Sequence, residues 1–441
     1  MSTVRDHVEE LTWRGLLHDS MPGTREFLNQ GPASGYIGFD PTADSLHVGN
    51  MVQIMMLKHF QESGHRPIAL VGGATGMVGD PSGKKSERNL LDEDVLRHNQ
   101  RCVGDQLARF IDFKSTTRPA ELVNNYDWFK DMGFLTFIRD VGKHIPIGYM
   151  LAKDSVKNRM ETGISFTEFT YQLVQGYDYY WLYKNKGCRL QMGGSDQWGN
   201  ITTGTELIRR MDGGEAYALT TPLLTKTDGS KFGKSEGGNI WLDAKRTSPY
   251  KYFQFWVNAT DADAARFAHI FTDWTKDRVD AIVGEHARAP HLRMLQKEVA
   301  AYITRMTHGE GELHDVIRAS EIIFGNSASE DLNRIPEEMW EQLMDSLPSY
   351  QTVANPDDQE PHAGVSREQI TLGLEVQKLL WRTQFLSSSS EARRALQEGS
   401  ISINKVKVSD EKAGVSSQLL IHNKYLLLQR GKKNYFLVKA V

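Results

Sequence analysis

The sequence predicts an α/β protein: a doubly wound parallel sheet, then an α-helical segment, then a small basic α+β tail. Three observations carry this. Strand and helix patterns alternate from residue 34 to about 235, the order of a sheet covered by helices on both faces. Residues 67–71 (PIALV) are an unbroken apolar run, as in a strand buried on both sides. Near the end the charge reverses: residues 326–371 hold 2 basic and 10 acidic side chains, a net of −8, and residues 372–441 hold 12 basic and 5 acidic, a net of +7.

The elements follow in order. Residues 36–40 (YIGFD) read as a short strand, residues 48–62 as an apolar helix closed by Gly64, and residues 67–71 as the buried strand. Residues 125–160 interrupt the alternation with a very apolar insertion, Phe129, Phe134, Leu135, Phe137 and Ile138 among them. Such a stretch serves either as local core or as an interface between subunits. Ser165 and Glu168 form a capping box, so a helix starts there. Residues 189–192 predict a strand and residues 197–211 a helix. Residues 248–324 are helical in pattern, punctuated by Pro249, Pro290 and Gly309. Residues 350–362, rich in Pro, Asp, Asn and Gln, read as a linker inside the acidic segment. The domains expected are therefore 1–247, 248–325, an acidic linker region 326–371, and 372–441.

Composition excludes several classes. With 441 residues, 39% hydrophobic and 24% charged, the chain has the make-up of a soluble globular protein of two to four domains. No apolar run approaches the roughly 18 residues needed to cross a bilayer, and the acidic N-terminus lacks a signal-peptide core. Cys102 and Cys188 show neither CxxC nor metal spacing, and no HExxH pair is present. A cytoplasmic protein without a bound structural metal is the expectation. The net charge of −4 argues against a wholly nucleic-acid-binding surface and leaves that role to the tail.

The polar motifs fall at strand ends and helix starts, where such sheets bind ligands. Along 36–40, alternation sets Tyr36, Gly38 and Asp40 on one face, and Gly38 leaves room for close approach. His47 and Asn50 lie three apart in the expected first helical turn, with Gly49 between them, where exposed N–H groups suit phosphate. HxGN is too short to carry a conclusion alone, since a lone histidine there is more often a cap. Residues 71–84 (VGGATGMVGDPSGK) are neither a P-loop nor GxGxxG. Their glycines keep the backbone near a ligand, Asp80 suits an ammonium, and Lys84, Lys85 and Arg88 suit phosphates. Tyr171, Gln175 and Asp178, at i, i+4 and i+7, make one polar helical stripe. At residues 193–200 (GGSDQWGN), Asp196 suits ribose hydroxyls and Gln197 a carbonyl or phosphate oxygen. Lys231 and Lys234 flank Phe232-Gly233 in a Gly-rich loop before Ser235, two ammonium groups able to neutralise a leaving pyrophosphate.

Taken together, GYIGFDPTADSLHVGN, GGATGMVGDPSGK, SFTEFTYQLVQGYD, QMGGSDQWGN and KFGKS resemble, in order and spacing, the tyrosyl-tRNA synthetases of the bacterial and organellar type, which are class I aminoacyl-tRNA synthetases with a Rossmann-like catalytic domain. The resemblance covers essentially the whole chain. It implies activation of L-tyrosine by ATP, with Mg2+ carried in by ATP, and transfer to tRNA(Tyr). By position it implies Tyr36 and Asp178 on the substrate phenol, and Asp80, Tyr171 and Gln175 on its ammonium. Gln197 would orient the carboxylate. Gly38, Asp40, His47, Gly49, Asn50, Gly194, Asp196, Lys231 and Lys234 would line the ATP side. Thr42, His47, Asn50, Lys84, Arg88, Lys231, Lys234 and Ser235 would carry the activation step. Asn50 stands where many members have histidine, and Ser235 replaces a frequent threonine. The tail resembles an S4-like RNA-binding module, with Arg393, Arg394, Lys405, Arg430, Lys432 and Lys433 toward RNA. The apolar insertion would be a homodimer interface. Two rivals stand beside this reading: a tryptophanyl-type or other class I adenylate-forming enzyme, and a synthetase-derived RNA-binding protein.

Overall fold

A computed structural model describes residues 4–80, 82, 92–153, 156–157, 160, 163–227, 229, 232–235, 238–354, 356, 364–410 and 412–441. Two compact units divide the chain: Met1–Arg246 with Trp256–Thr307, and Thr247–Phe255 with His308–Val441. The first break, after Arg246, falls beside the expected boundary at 247, whereas those after Phe255 and Thr307 coincide with neither 325 nor 371. Charge reports the surface, whereas the buried positions decide which segments pack together.

The first unit is built on a six-stranded sheet: β1 (Asp19–Ser20), β2 (Ser34–Phe39), β3 (Arg66–Val71), β4 (Glu121–Asn124), β5 (Cys188–Gly194) and β6 (Tyr217–Thr221). The strand order is β1-β6-β5-β2-β3-β4, parallel throughout except where β1 pairs β6 antiparallel. From β2 the chain winds outward through β3 and β4, then returns to β2's other edge with β5 and β6. The reversal between β2 and β5 opens a crevice at the strands' carboxyl ends. Burial on both faces explains the run of Pro67 to Val71, all buried. At Gly35 an added Cβ would lie 2.9 Å from the Phe60 ring and 3.2 Å from Leu190, so glycine allows helix and neighbouring strand to close on β2.

The helix Phe166–Lys186 begins with the expected capping box, Ser165 accepting from Glu168 N and Glu168 reaching back. It packs on the helix Trp198–Asp212, where Gly204 sits against Tyr179: a Cβ there would lie 2.8 Å from that ring. The Tyr179 hydroxyl donates to the Tyr217 carbonyl at 2.7 Å, pinning the helix to β6 and fixing Asp178 beside it. The helix read at 48–62 starts later, at Met51–Glu62. The preceding residues form a turn, in which Asn50 N donates to the His47 carbonyl at 2.8 Å. His47 and Asn50 therefore lie before the helix, not in its first turn.

The insertion splits by position. Val141, Ile145 and Met150 are buried, whereas Phe134, Leu135, Ile138 and Ile147 are exposed, Leu135 at 79%. No helix among the described residues is long and apolar enough to cross a membrane.

In the second unit a five-stranded sheet runs Val406–Val408, Ile401–Ile403, Tyr425–Arg430, Asn434–Lys439, Ser349–Gln351. The last strand corrects the linker reading: residues 349–351 pair in parallel with 437–439. The acidic segment also forms the helix Glu337–Met344, whose Met339, Trp340 and Leu343 are buried, with Trp340 stacked on Tyr425 at 5.6 Å. Net charge hid that apolar stripe. Residues 355 and 357–363 of the expected linker lie outside the described residues.

Candidate active site

The crevice between β2 and β5 collects most of the sequence-derived residues. Tyr36, on β2, is 1% exposed, and its hydroxyl has no hydrogen-bond partner. Burial, and then the neighbouring Asp178 charge, push its pKa well above the ordinary phenol value. An orphaned buried hydroxyl is costly unless something else is to meet it. Asp178 is 1% exposed and accepts from Asn125 Nδ2 at 3.0 Å and Trp128 Nε1 at 2.9 Å. Burial outweighs those two donors and pushes its pKa up to about 8. Trp128 stacks on Trp181 at 4.2 Å, which fixes the indole N–H. This end is a closed polar site in an apolar wall.

A second polar group lies at the β3 and β5 ends. Gln197 Nε2 donates to Asp80 Oδ2 at 2.8 Å, and Asn200 Nδ2 lies 3.2 Å from both Gln175 Oε1 and Gln197 Oε1. Asn200 also reaches Ser82 Oγ at 3.3 Å. Asp80, Gln175 and Gln197 are thus brought together through Asn200. Tyr171 joins differently: its hydroxyl donates to Asp40 Oδ2 at 3.0 Å, while Thr75 Oγ1 donates to Asp40 Oδ1 at 2.7 Å. The resemblance grouped Tyr171 with Asp80 and Gln175; its hydrogen bond goes to Asp40. Asn125 ties the two ends, donating to Thr75 Oγ1 at 3.1 Å as well as to Asp178.

The nucleotide side is a set of turns. Gly38 is exposed on β2, and Thr42 and Asp196 are exposed beyond the strand ends. At Gly194 a Cβ would lie 2.6 Å from Asp196 Oδ1, so the backbone runs close under that carboxylate. His47 N donates to Asn50 Oδ1 at 3.0 Å, and Gly49 N donates to His47 Nδ1 at 3.0 Å. A backbone N–H can only donate, so Nδ1 accepts, and the neutral ring carries its proton on Nε2 as a donor. Val48 N donates to the Ile240 carbonyl at 2.9 Å, and Ile240 N donates to the Gly233 carbonyl at 3.0 Å. Gly233, at φ +82, has no room for a side chain: a Cβ would lie 2.9 Å from Val48 Cγ2 and 3.2 Å from Gly49 N. Two motifs about 180 residues apart in sequence are therefore packed together, with Ile240 bonded to both and no room for a side chain at Gly233. Lys234 and Ser235 form a short strand against Gly238–Asn239. Lys84, Lys85, Arg88 and Lys231 lie outside the described residues.

Sequence reasoning missed Asn125, Trp128, Thr75, Ser82 and Asn200. Asn200 carried a signal, three residues past Gln197 at the same helix start. Asn125 and Trp128 did not, because their stretch reads as apolar.

In the tail, Arg393 and Arg394 are exposed on the helix Ser389–Gln397, and Lys432 and Lys433 are exposed in a turn. Two expected RNA-facing bases are already engaged. Lys405 Nζ donates to the Gly325 carbonyl at 2.8 Å, and Arg430 is ion-paired with Glu391. Among the described residues no three His, Cys, Asp or Glu side chains gather as a metal site.

Known proteins agree with this architecture. The family described as tRNA synthetases class I (W and Y) matches residues 28–325, and a tyrosine–tRNA ligase SYY-like C-terminal domain matches residues 358–438. A tyrosine–tRNA ligase of Porphyromonas gingivalis is 55% identical over 437 residues, 98% of this chain and 99% of that protein. One from Flavobacterium johnsoniae is 54% identical over 445 residues, 99% of this chain and all of that protein. A C-terminally truncated mitochondrial tyrosyl-tRNA synthetase of Aspergillus nidulans superposes with a TM-score of 0.64 at 34% identity, covering 70% of this chain and 92% of that one. The class I model embraces tryptophan and tyrosine enzymes alike. The tail match and the full-length relatives decide between them, and the tryptophanyl rival has no support. The chain belongs to the tyrosine–tRNA ligases, a family of class I aminoacyl-tRNA synthetases.

Proposed function

We propose that this chain joins L-tyrosine to ATP as tyrosyl-adenylate and then passes tyrosine to tRNA(Tyr). The observation that carries the reading is the unpaired Tyr36 hydroxyl beside Asp178 at the closed end of the crevice, with the Asp80 cluster at the other end. A tyrosine bound there would turn its phenol toward Tyr36 and Asp178 and its ammonium toward Asp80 and Gln175. Gln197 orients the carboxylate. Tyr171 acts through Asp40, which it holds toward the nucleotide.

The carboxylate oxygen attacks the α-phosphorus of ATP, the α–β P–O bond breaks, and pyrophosphate leaves. ATP brings Mg2+ with it as part of the substrate. Neither a covalent nucleophile nor a general base is needed for this step, so catalysis is positioning and charge stabilisation. The Nε2–H of His47, the backbone at Gly49, and Lys84, Arg88, Lys231 and Lys234 serve the phosphates. Asp196 and Gly194 serve the ribose. A terminal ribose hydroxyl of the tRNA then attacks the acyl carbonyl, its proton is lost, and AMP leaves. The exposed apolar face of Phe134, Leu135, Ile138 and Ile147 supports a homodimer. A cytoplasmic setting, where ATP and tRNA are both present, fits this reading.

Charging assays with labelled tyrosine test the reading. Tyrosine should appear on tRNA(Tyr), on the 3′ terminal ribose, with one AMP released per ester. Charging of other tRNAs, or with tryptophan, would contradict it.

A further inference from the structure

The helix Asp261–Phe271 lies in the stretch that the sequence alone assigned to a separate helical domain. It belongs instead to the first unit, where it packs on the helix Met51–Glu62 that follows the His47 turn. Its first turn holds a buried carboxylate. Asp263 is 3% exposed and stands three residues after the cap, Thr260. In a capping box that side chain turns back on the cap's own N–H. Here it accepts from another segment: from Thr227 N at 3.0 Å on Oδ1, and from the Thr227 hydroxyl at 3.2 Å on Oδ2. Thr260 Oγ1 donates to the same Oδ2 at 3.0 Å. Arg266, one turn on, lies 3.7 Å from Oδ1 and donates to the Thr225 carbonyl at 3.0 Å. The carboxylate's charge is met where it sits, and residues 225–227 are tied to the helix.

Further along, the same loop meets the other end of the helix. Phe232 is 8% exposed, stacked on Phe271 at 5.4 Å, with Phe267 at 5.2 Å and Trp256 at 5.9 Å. Lys231 directly precedes Phe232, and Lys234 comes just after Gly233. The double-lysine loop therefore has two fixed points on one helix.

We infer that Asp263 is a positioning residue for tyrosine activation: acting through Thr227, it fixes the loop so that Lys231 and Lys234 meet the leaving pyrophosphate. The inference rests on the activation reading above. A Gly-rich loop left free samples many orientations, and ordering it during the reaction would add to the barrier. The lysines stabilise charge most when they are in place before it develops. Phe232 alone does not ensure this, because a ring in a socket leaves the chain free to pivot about it. The directional bonds at Asp263 remove the pivot. They come from a helix packed on the one that follows the His47 turn, so both signature segments share one frame.

The test uses the full chain with ATP, tyrosine and tRNA(Tyr), and reads the two half-reactions apart. Asp263→Ala leaves the Thr227 N–H and hydroxyl without their acceptor. Asp263→Asn keeps an oxygen for that N–H and serves as the rescue. Thr227→Val, at an exposed position, removes the hydroxyl alone. Thermal melting confirms that each variant is folded, and Thr227→Val carries the test if Asp263→Ala does not fold. Asp263→Ala should slow tyrosyl-adenylate formation about 10- to 100-fold, the scale of a misplacement of up to about 1 Å. The KM for tyrosine should stay within about twofold. Transfer to tRNA from adenylate already formed on the variant should also stay within about twofold, because no pyrophosphate leaves in that step. Asp263→Asn should recover to within about fivefold of the parent, and Thr227→Val should lose about 3- to 10-fold. The double variant Asp263→Ala, Thr227→Val should be no slower than Asp263→Ala, since both break one contact. Activation within about twofold of the parent, equal losses in both half-reactions, or losses that multiply in the double variant would each overturn the assignment. A parent without tyrosine-dependent exchange would instead defeat the reading on which the inference rests.

Discussion

Tyr36 and Asp178 show how one residue can be poor for the fold and right for the site. The Tyr36 hydroxyl is buried without a partner, and Asp178 is a carboxyl in an apolar wall. Replacing Tyr36 with Phe removes the orphaned group. The empty protein should then be as stable as the parent or up to about 1 kcal/mol more stable. If the proposed hydrogen bond from Tyr36 to the phenol forms, the same variant should raise the KM for tyrosine roughly tenfold. Denaturant titration and exchange kinetics on the same sample check both halves. Asp178 adds a pH signature. Its pKa rises from 3.8 to about 8 on folding, so the folded state holds a proton that the unfolded state has already released. Its contribution is complete below about pH 4 and disappears as pH rises through 8. Asp178→Asn should flatten the stability profile between those values, measured by denaturation across pH, and should abolish tyrosine activation. Both residues stand out in the sequence, because strand alternation and helical spacing set each on a polar face. Their supports, Asn125 and Trp128, do not, since these hydrogen bonds span 53 and 50 residues and no local pattern announces them.

At the scale of elements, the junction between the turn at His47 to Asn50 and the loop at Gly233 couples the two signature motifs. Each reads in the sequence as a polar, Gly-rich segment, with no sign that the two pack together. Gly233→Ala would force a side chain into 2.9 Å of Val48 at a positive φ. Relieving the clash moves one motif against the other, and a misplacement of about 1 Å costs on the order of 100-fold in rate. The variant should lower kcat for activation by about that factor while tyrosine binding, measured by equilibrium dialysis, stays within about twofold. A loss in tyrosine affinity equal to the loss in kcat would show that the junction shapes the pocket instead. The β-strand, helix and capping-box assignments were legible because periodicity and caps are local. The exact start of the helix at Met51 was not, since His47 to Asn50 satisfy one another by side-chain bonds that mimic a helical turn.

Across the whole molecule, the alternation of strands and helices carried the doubly wound parallel sheet, but not its strand order, nor β1, β4 and β6, which show no pattern of their own in the sequence. The second unit is where composition misled. Counting charges from 326 to 371 suggested a linker, yet residues 349–351 complete a sheet begun elsewhere, and Glu341 pairs with Lys439 at 2.7 Å. Long-range pairing of that kind leaves no local trace. The exposed bases of this unit carry a prediction of their own. Arg394→Glu with Lys432→Glu should weaken tRNA binding about tenfold or more and reduce the salt slope by about 2, one for each phosphate no longer neutralised. Filter binding at several salt concentrations reads both, and pyrophosphate exchange without tRNA should not change.

The central claim is that this crevice activates tyrosine by recognising its phenol. Tyrosine-dependent ATP–pyrophosphate exchange, with phenylalanine and tryptophan in parallel, tests it most directly. Exchange is expected with tyrosine and only background with the other two. Exchange with tryptophan at a comparable rate would contradict the assignment of Tyr36 and Asp178. No exchange with any amino acid, from folded protein, would contradict the activation step itself.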